Sequence, residues 1–196
     1  FGDKWNVLML HQFGNFAVQA IVRKCCEEDA ALEKIMQLLG PHLQKTLTSK
    51  FGGYILDSFV AGLDSGRGCK WLIDNFQGMA FFDLASSKNG HYCVSQLLEK
   101  TAPLVDSHAI VQQLAPWLFR LSTVDYGAYV VQSMIKFFKD PVVVFSMCCV
   151  AFTTVENGWS QVCMSKWGSY VAESLICGSA PLIPGSVFIK ELAPSI

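Results

Sequence analysis

A seven-residue pattern built around a glycine occurs five times in this chain, and it restricts the fold more than any other feature. The copies are Phe13-Gly14-Asn15-Phe16-Ala17-Val18-Gln19, Phe51-Gly52-Gly53-Tyr54-Ile55-Leu56-Asp57, Asn89-Gly90-His91-Tyr92-Cys93-Val94-Ser95, Tyr126-Gly127-Ala128-Tyr129-Val130-Val131-Gln132 and Trp167-Gly168-Ser169-Tyr170-Val171-Ala172-Glu173. The five motif glycines are 38, 38, 37 and 41 residues apart. A period in this range belongs to solenoids of helical hairpins, whose units bury their apolar faces against one another. The expectation is an all-α array spanning residues 1–196, with motif segments at 13–23, 51–60, 89–98, 126–135 and 167–176.

Counted from each glycine, offsets three, four, seven and eight are apolar in every copy. They are Ala17, Val18, Ile21, Val22; Ile55, Leu56, Phe59, Val60; Cys93, Val94, Leu97, Leu98; Val130, Val131, Met134, Ile135; and Val171, Ala172, Leu175, Ile176. At about 100° per residue these four offsets form one stripe, the buried face of an amphipathic helix. Offsets one, two and five are expected to share the opposite, open face. Offset two is always aromatic: Phe16, Tyr54, Tyr92, Tyr129 and Tyr170. Offset one is small or polar, at Asn15, Gly53, His91, Ala128 and Ser169, and offset five always has hydrogen-bonding capacity, at Gln19, Asp57, Ser95, Gln132 and Glu173. A ladder of exposed rings flanked by hydrogen-bonding groups suits the stacking of unpaired bases, worth about 1–3 kcal/mol per base. Packing against a neighbouring repeat is the other reading of the same rings.

Three copies are preceded by Ser-Lys, at Ser49-Lys50, Ser87-Lys88 and Ser165-Lys166. The serine suits a helix N-cap, accepting from the first unpaired amides, and the lysine then lies at a common edge of the stacked helices. The intervening segments read as further helices. Ala31–Leu47 is broken at Gly40-Pro41 and carries Leu32, Ile35, Leu39 and Leu43; Trp71–Ala85 carries Leu72, Ile73, Phe76 and Phe82 around Gly78. Ser107–Leu121, capped by Ser107, carries Ile110, Leu114 and Leu118, and Val142–Val162 is expected as one longer apolar segment. Asp64–Gly68 and Thr101-Ala102-Pro103 read as loops, and no strand is expected.

Fifteen Lys and Arg against sixteen Asp and Glu leave a net charge of −1, which argues against nucleic-acid binding by bulk charge while leaving base reading open. The eight cysteines sit in apolar stretches without a C-x-x-C, which reads as reduced core thiols and a cytosolic or nuclear setting. The four histidines lie at no zinc-ligand spacing to a cysteine, so neither metal nor cofactor is expected. The absence of a phosphate loop, an H-E-x-x-H and a nucleophile elbow gives no indication of catalysis. No apolar run reaches the roughly 18 residues of a spanning helix, and no charged segment followed by an apolar one suggests a signal peptide. The first residue is Phe1, and a piece of something longer is the expectation.

The motif resembles that of the Pumilio (PUF) family of RNA-binding repeats, most closely in Ser-Lys-Phe-Gly-Gly-Tyr-Ile-Leu-Asp from Ser49 and Phe-Gly-Asn-Phe-Ala-Val-Gln from Phe13. The resemblance runs from about Phe13 to Ile176. It implies a curved α-solenoid of stacked three-helix repeats whose second helix lines the concave face. One repeat then reads one base of single-stranded RNA, with offsets one and five at the base edge and offset two stacking. The base-edge set is Asn15, Gln19, Gly53, Asp57, His91, Ser95, Ala128, Gln132, Ser169 and Glu173. The stacking set is Phe16, Tyr54, Tyr92, Tyr129 and Tyr170, and Lys50, Lys88 and Lys166 are candidates for phosphate. Asn15/Gln19 resembles the family's uracil pair, Ala128/Gln132 a small-residue/glutamine pair for adenine, and Ser169/Glu173 the guanine pair. Gly53/Asp57 and His91/Ser95 match no familiar pair. With antiparallel binding the implied preference is 5′-G-A-n-n-U-3′.

Five motifs, longer inserts and neutral charge differ from the family's usual eight basic repeats, and are similar to its nucleolar branch in ribosomal RNA maturation. A fragment of a longer array is expected, and two RNA partners stay open: mRNA 3′ untranslated regions and pre-ribosomal RNA. Cytoplasm and nucleus or nucleolus stay open with them. Protein partners on the convex face, and a helical scaffold without RNA specificity, are the alternatives. No membrane partner is expected.

Overall fold

Each motif forms a helix in the computed structural model, which describes residues 2–63, 66–75, 79–101, 112–138, 140–179 and 183–192. The chain divides into two compact units, Phe1–Asp106 and Ser107–Ile196.

The first unit starts with α1 (Gly2–Leu10), α2 (Gly14–Cys25) and α3 (Asp29–Leu39). A 3-10 turn over Gly40–His42, where Pro41 occupies an early helical position that needs no amide donor, leads into α4 (Leu43–Thr48). α5 (Gly52–Gly62), α6 (Gly66–Asn75), α7 (Met79–Ala85) and α8 (Gly90–Thr101) follow. The motif helices α2, α5 and α8 pack side by side in that order, and the short helices α4 and α7 pack against the motif helix that follows each. In the second unit residues 112–114 are helical and run through a 3-10 turn, Ala115–Trp117, into α9 (Leu118–Thr123). α10 (Asp125–Phe137), α11 (Pro141–Thr153), α12 (Gly158–Met164), α13 (Gly168–Ser179) and α14 (Gly185–Leu192) complete it, with motif helices α10 and α13 packed together. The described residues contain no strand.

The expected stripe is the core of the inner repeats. Ile55, Leu56, Phe59 and Val60 are all fully buried, as are Cys93, Val94 and Leu97. The outermost copies depart from it: Ala17 and Ile21 at the first, and Ile176 at the fifth, are exposed. Offsets three and seven of α5 are fully covered in a stack that includes α2, whereas the same offsets of α2 remain exposed. Periodicity marks a face as apolar and cannot say that a neighbour is there to bury it.

Three of the intervening segments also differ from expectation. Gly66-Arg67-Gly68 is the first turn of α6, not a loop, and Arg67 pairs with Glu33 of α3. Trp71–Ala85 is split between α6 and α7, with Phe76 and Gly78 outside the described residues. Val142–Val162 is two helices, α11 and α12, bent through 106°. The bend falls at Thr154–Asn157, where Asn157 takes the left-handed conformation at φ 54°, which asparagine tolerates better than most residues. α11 begins at Asp140, whose carboxylate accepts from Val142 N at 3.0 Å and Val143 N at 3.2 Å, with Pro141 in the first turn. Asp64, Ser65, Ala102, Pro103, Ser107 and Ile110 lie outside the described residues. Cys26, Cys69, Cys93 and Cys148 are buried thiols, whereas Cys177 is exposed. Burial pushes the thiols of Cys93 and Cys148 well above the ordinary range.

Candidate nucleic-acid interface

The motif glycine is explained by a close approach. The first turn of each motif helix lies against the helix before it, so that a Cβ on Gly52 would stand 1.7 Å from the Thr46 carbonyl oxygen. The corresponding distances are 2.5 Å from Gly90 to Leu84 O, 2.7 Å from Gly127 to Leu121 O and 2.3 Å from Gly168 to Val162 O. The expected serine caps secure the same joint. Ser49 Oγ accepts from Gly52 N at 2.8 Å and donates to Thr46 O at 3.1 Å. Ser87 does the same between Gly90 N and Leu84 O, and Ser165 between Gly168 N and Val162 O. His11, three residues before Gly14, takes the serine's place, its Nδ1 accepting from Gly14 N at 3.1 Å. This joint sets the rotation of every motif helix, and hence which side chains it turns outward.

The offset-two rings are all exposed: Phe16 66%, Tyr54 45%, Tyr92 60%, Tyr129 45% and Tyr170 51%. Offset one departs from expectation. Asn15, Gly53, His91 and Ala128 are buried, and of the five only Ser169 is exposed. Two geometric facts explain this. At about 100° per residue, offset one lies only about 20° from offset eight, at the border of the core stripe and not opposite it. At Gly53 the residue just before the next glycine also covers it: a Cβ there would stand 3.2 Å from Asn89 Cβ. No described residue of a sixth motif covers Ser169. Offset five is intermediate in angle and in burial, with Gln19, Asp57, Ser95 and Gln132 half-buried and Glu173 exposed.

Several candidate edge groups are already engaged. Asn15 donates through Nδ2 to the carbonyls of His11 and Gln12, both at 2.9 Å, and accepts from Gln19 Nε2 at 2.7 Å. Gln19 Oε1 in turn accepts from Ser58 Oγ at 3.3 Å, and Arg23 donates to the same hydroxyl at 3.0 Å. Asp57 accepts from Gln96 Nε2 at 2.8 Å; burial raises its carboxyl above the usual range, with the Arg23 guanidinium opposing. Ser58 and Gln96, both at offset six, thus hold the offset-five side chain of the preceding repeat. Sequence reasoning missed them, although a polar residue follows the offset-five position in four copies, at Ser58, Gln96, Ser133 and Ser174. His91 Nδ1 lies 3.1 Å from Ser87 O, and its ring centroid is 3.9 Å from that of Tyr92. Ser169 Oγ donates to Lys166 O at 3.1 Å.

Lys50, Lys88 and Lys166 are all exposed at the N-terminal edge of their motif helices. Lys50 lies over Phe51, 5.5 Å from the ring centroid, and Lys166 over Trp167 at 4.4 Å. Lys100 donates to Ala61 O and Leu63 O, both at 2.9 Å, closing the C-terminus of α5 from the following repeat.

The chain superimposes on the Puf4 RNA-binding domain bound to the HO endonuclease RNA 3′ UTR recognition sequence with a TM-score of 0.78 and 15% identity, covering 98% of this chain and 58% of that one. The fold is that of a Pumilio-repeat (PUF) domain. A second PUF structure, PUF-8 in complex with PBE-RNA, matches with a TM-score of 0.67 and 19% identity over 97% of this chain and 61% of that one. The RNA-binding domain of yeast Puf5p bound to SMX2 RNA matches with a TM-score of 0.74 and 16% identity over 96% of this chain and 52% of that one. The chain therefore spans between half and two-thirds of the length of these PUF domains. Neither a protein-family profile nor a curated protein matches the sequence.

Proposed function

We propose that this chain is a single-stranded RNA-binding module, and not an enzyme, in which each motif helix offers one stacking ring to one base. The observation that carries the reading is the exposure of the offset-two ring in all five motif helices. Large apolar rings held open at one register of every repeat suit a flat apolar ligand with a repeating backbone, and unpaired bases meet that description. The PUF domains that share the fold are described as RNA-bound, which supports the same ligand class. Phe16, Tyr54, Tyr92, Tyr129 and Tyr170 stack. Gln19, Ser95, Gln132, Ser169 and Glu173 supply base edges, and Lys50, Lys88 and Lys166 meet phosphates. Asn15, Gly53, His91 and Ala128 shape the sites from beneath, and Asp57 stays with Gln96.

The strand preferred is 5′-G-A-n-n-U-3′, with guanine at Ser169/Glu173, adenine at Ala128/Gln132 and uracil at Asn15/Gln19. The module acts inside the cell, in mRNA control through 3′ untranslated regions or in pre-ribosomal RNA maturation. The open apolar residues Ala17, Ile21 and Ile176 suit a further repeat at either edge, as in a longer array. Fluorescence anisotropy near physiological salt, with G-A-U-U-U against the same RNA with guanine and adenine exchanged, tests the reading. A several-fold preference for the first is expected. Equal binding to both removes the base-reading part, and binding to neither transfers the fold to protein scaffolding.

A further inference from the structure

The residue just before the motif glycine has a place in the site that the periodic reading leaves unassigned. It is aromatic in four copies, Phe13, Phe51, Tyr126 and Trp167. At the junction of the second and third repeats its counterpart Asn89 lies on Gly53, the offset-one residue of the repeat before. At the junction of the fourth and fifth repeats the same position is Trp167. Its ring centroid lies 6.3 Å from Tyr129 and 6.5 Å from Tyr170, the two exposed offset-two rings of those repeats. The indole is tilted 56° and 51° to the two phenol rings, so it is stacked flat on neither. It is half-buried, with the Lys166 ammonium 4.4 Å from its centroid. Ala128, the offset-one residue of the fourth repeat, is 1% exposed and bears no hydrogen-bonding group, so it can neither reach nor read a base.

We infer that Trp167 is a further base-contacting residue, forming with Tyr129 and Tyr170 a three-ring cradle that selects a purine in the fourth-repeat site. The inference rests on the RNA-binding reading above. Two phenol rings alone grip a base by its faces and accept any base, since every base has a π-face. An indole inclined between them adds a third apolar surface at the base's edge. A bicyclic purine reaches that surface while still stacked, and a pyrimidine, one ring smaller, leaves it uncovered. Selection in this repeat then comes from ring size, with Gln132 as the offset-five edge contact. Lys166, over the indole, brings a cation to the same cradle, where a negatively charged backbone passes.

The test is anisotropy of G-A-U-U-U against G-C-U-U-U for the wild type, Trp167→Ala and Trp167→Phe, with tryptophan fluorescence recorded in parallel and circular dichroism checking the fold. Trp5 and Trp159 are buried, and the half-buried Trp71 and Trp117 lie on α6 and in the 3-10 turn before α9, outside the motif helices, so quenching by bound RNA is expected to come chiefly from Trp167. Wild type should prefer the adenine RNA several-fold. Trp167→Ala should lose that preference and bind the adenine RNA about five- to tenfold more weakly, the low end of a stacking contact. Trp167→Phe should retain part of the affinity and lose most of the quenching; it decides the matter if the alanine variant does not fold. A wild-type adenine-to-cytosine ratio in Trp167→Ala, or undiminished quenching in Trp167→Phe, overturns the inference while leaving RNA binding intact. If the wild type binds neither RNA, the RNA-binding reading fails and the inference falls with it.

Discussion

Replacing Gly52 by alanine sets helix propensity against tertiary contact. Propensity alone makes the change favourable, because glycine inside a helix is worse than alanine by about 1 kcal/mol. The structure reverses the sign. The new Cβ would stand 1.7 Å from Thr46 O, 2.4 Å from its carbonyl carbon and 2.6 Å from Ser49 Oγ. Two of these are backbone atoms, so no rotamer change relieves the clash, and α5 must withdraw by about 1.5–2 Å to reach van der Waals distance. That movement breaks the 2.8 Å bond from Gly52 N to Ser49 Oγ, at a net cost of about 1 kcal/mol. Overpacking of this kind adds about 1–3 kcal/mol. Offsetting the propensity gain leaves a net destabilisation of about 1–3 kcal/mol. Gly185→Ala is the control: it too is the first residue of a helix, α14, and no atom would stand within 4 Å of its Cβ. It should be neutral or stabilise by up to about 1 kcal/mol. Urea unfolding followed by far-ultraviolet circular dichroism measures both. A Gly52→Ala protein as stable as wild type would refute the close-approach account of the motif glycine.

Tyr129→Ala and Tyr170→Ala should each weaken binding to every RNA by about 1–3 kcal/mol, read by anisotropy, and unchanged affinity would remove the stacking assignment. Glu173→Gln should relax the preference for guanine at one position while leaving the others, which a panel of single-base RNA variants will show. Alanine at Lys50, Lys88 and Lys166 together should flatten the dependence of log K on log salt by roughly 2, at about 0.7 per phosphate contact on a single strand. Asp57→Asn keeps the acceptor for Gln96 and removes a carboxylate whose pKa burial holds above the ordinary 3.8. Because the folded state binds that proton more tightly than the unfolded one, the carboxylate lowers stability at neutral pH. The penalty shrinks as pH falls through the raised value and is gone below 3.8. The variant should therefore resist urea better than wild type at pH 7, with the gap closing towards pH 4.

Much of the array is legible in the sequence, because a repeat protein restates the same local problem in each unit. The apolar stripe identified the motif helices, the serines three residues before Gly52, Gly90 and Gly168 marked the joints, and the offset-two rings were placed opposite the core. These are consequences of the 100° step of a single helix. The chemistry of the offset-one residues was visible too, but their accessibility was not. The single-helix angle left them at the border of the stripe, and the side chain that covers Gly53 comes from Asn89, in the next repeat.

The same division holds across the chain. Its sequence alone determined that the fold is a helical repeat, how many motifs it carries, and which side of each motif helix holds rings. Only the tertiary structure decided which members of each pattern are open: Ile55 and Phe59 are buried while Ile21, at the same offset as Phe59, is not, and Ser169 is open where Ala128 is closed. It also decided that Gln19 and Asp57 are held by Ser58 and Gln96, and that Trp167 stands between two tyrosines. The physical reason is that periodicity is a property of one helix, whereas burial and hydrogen-bond engagement belong to a pair of repeats.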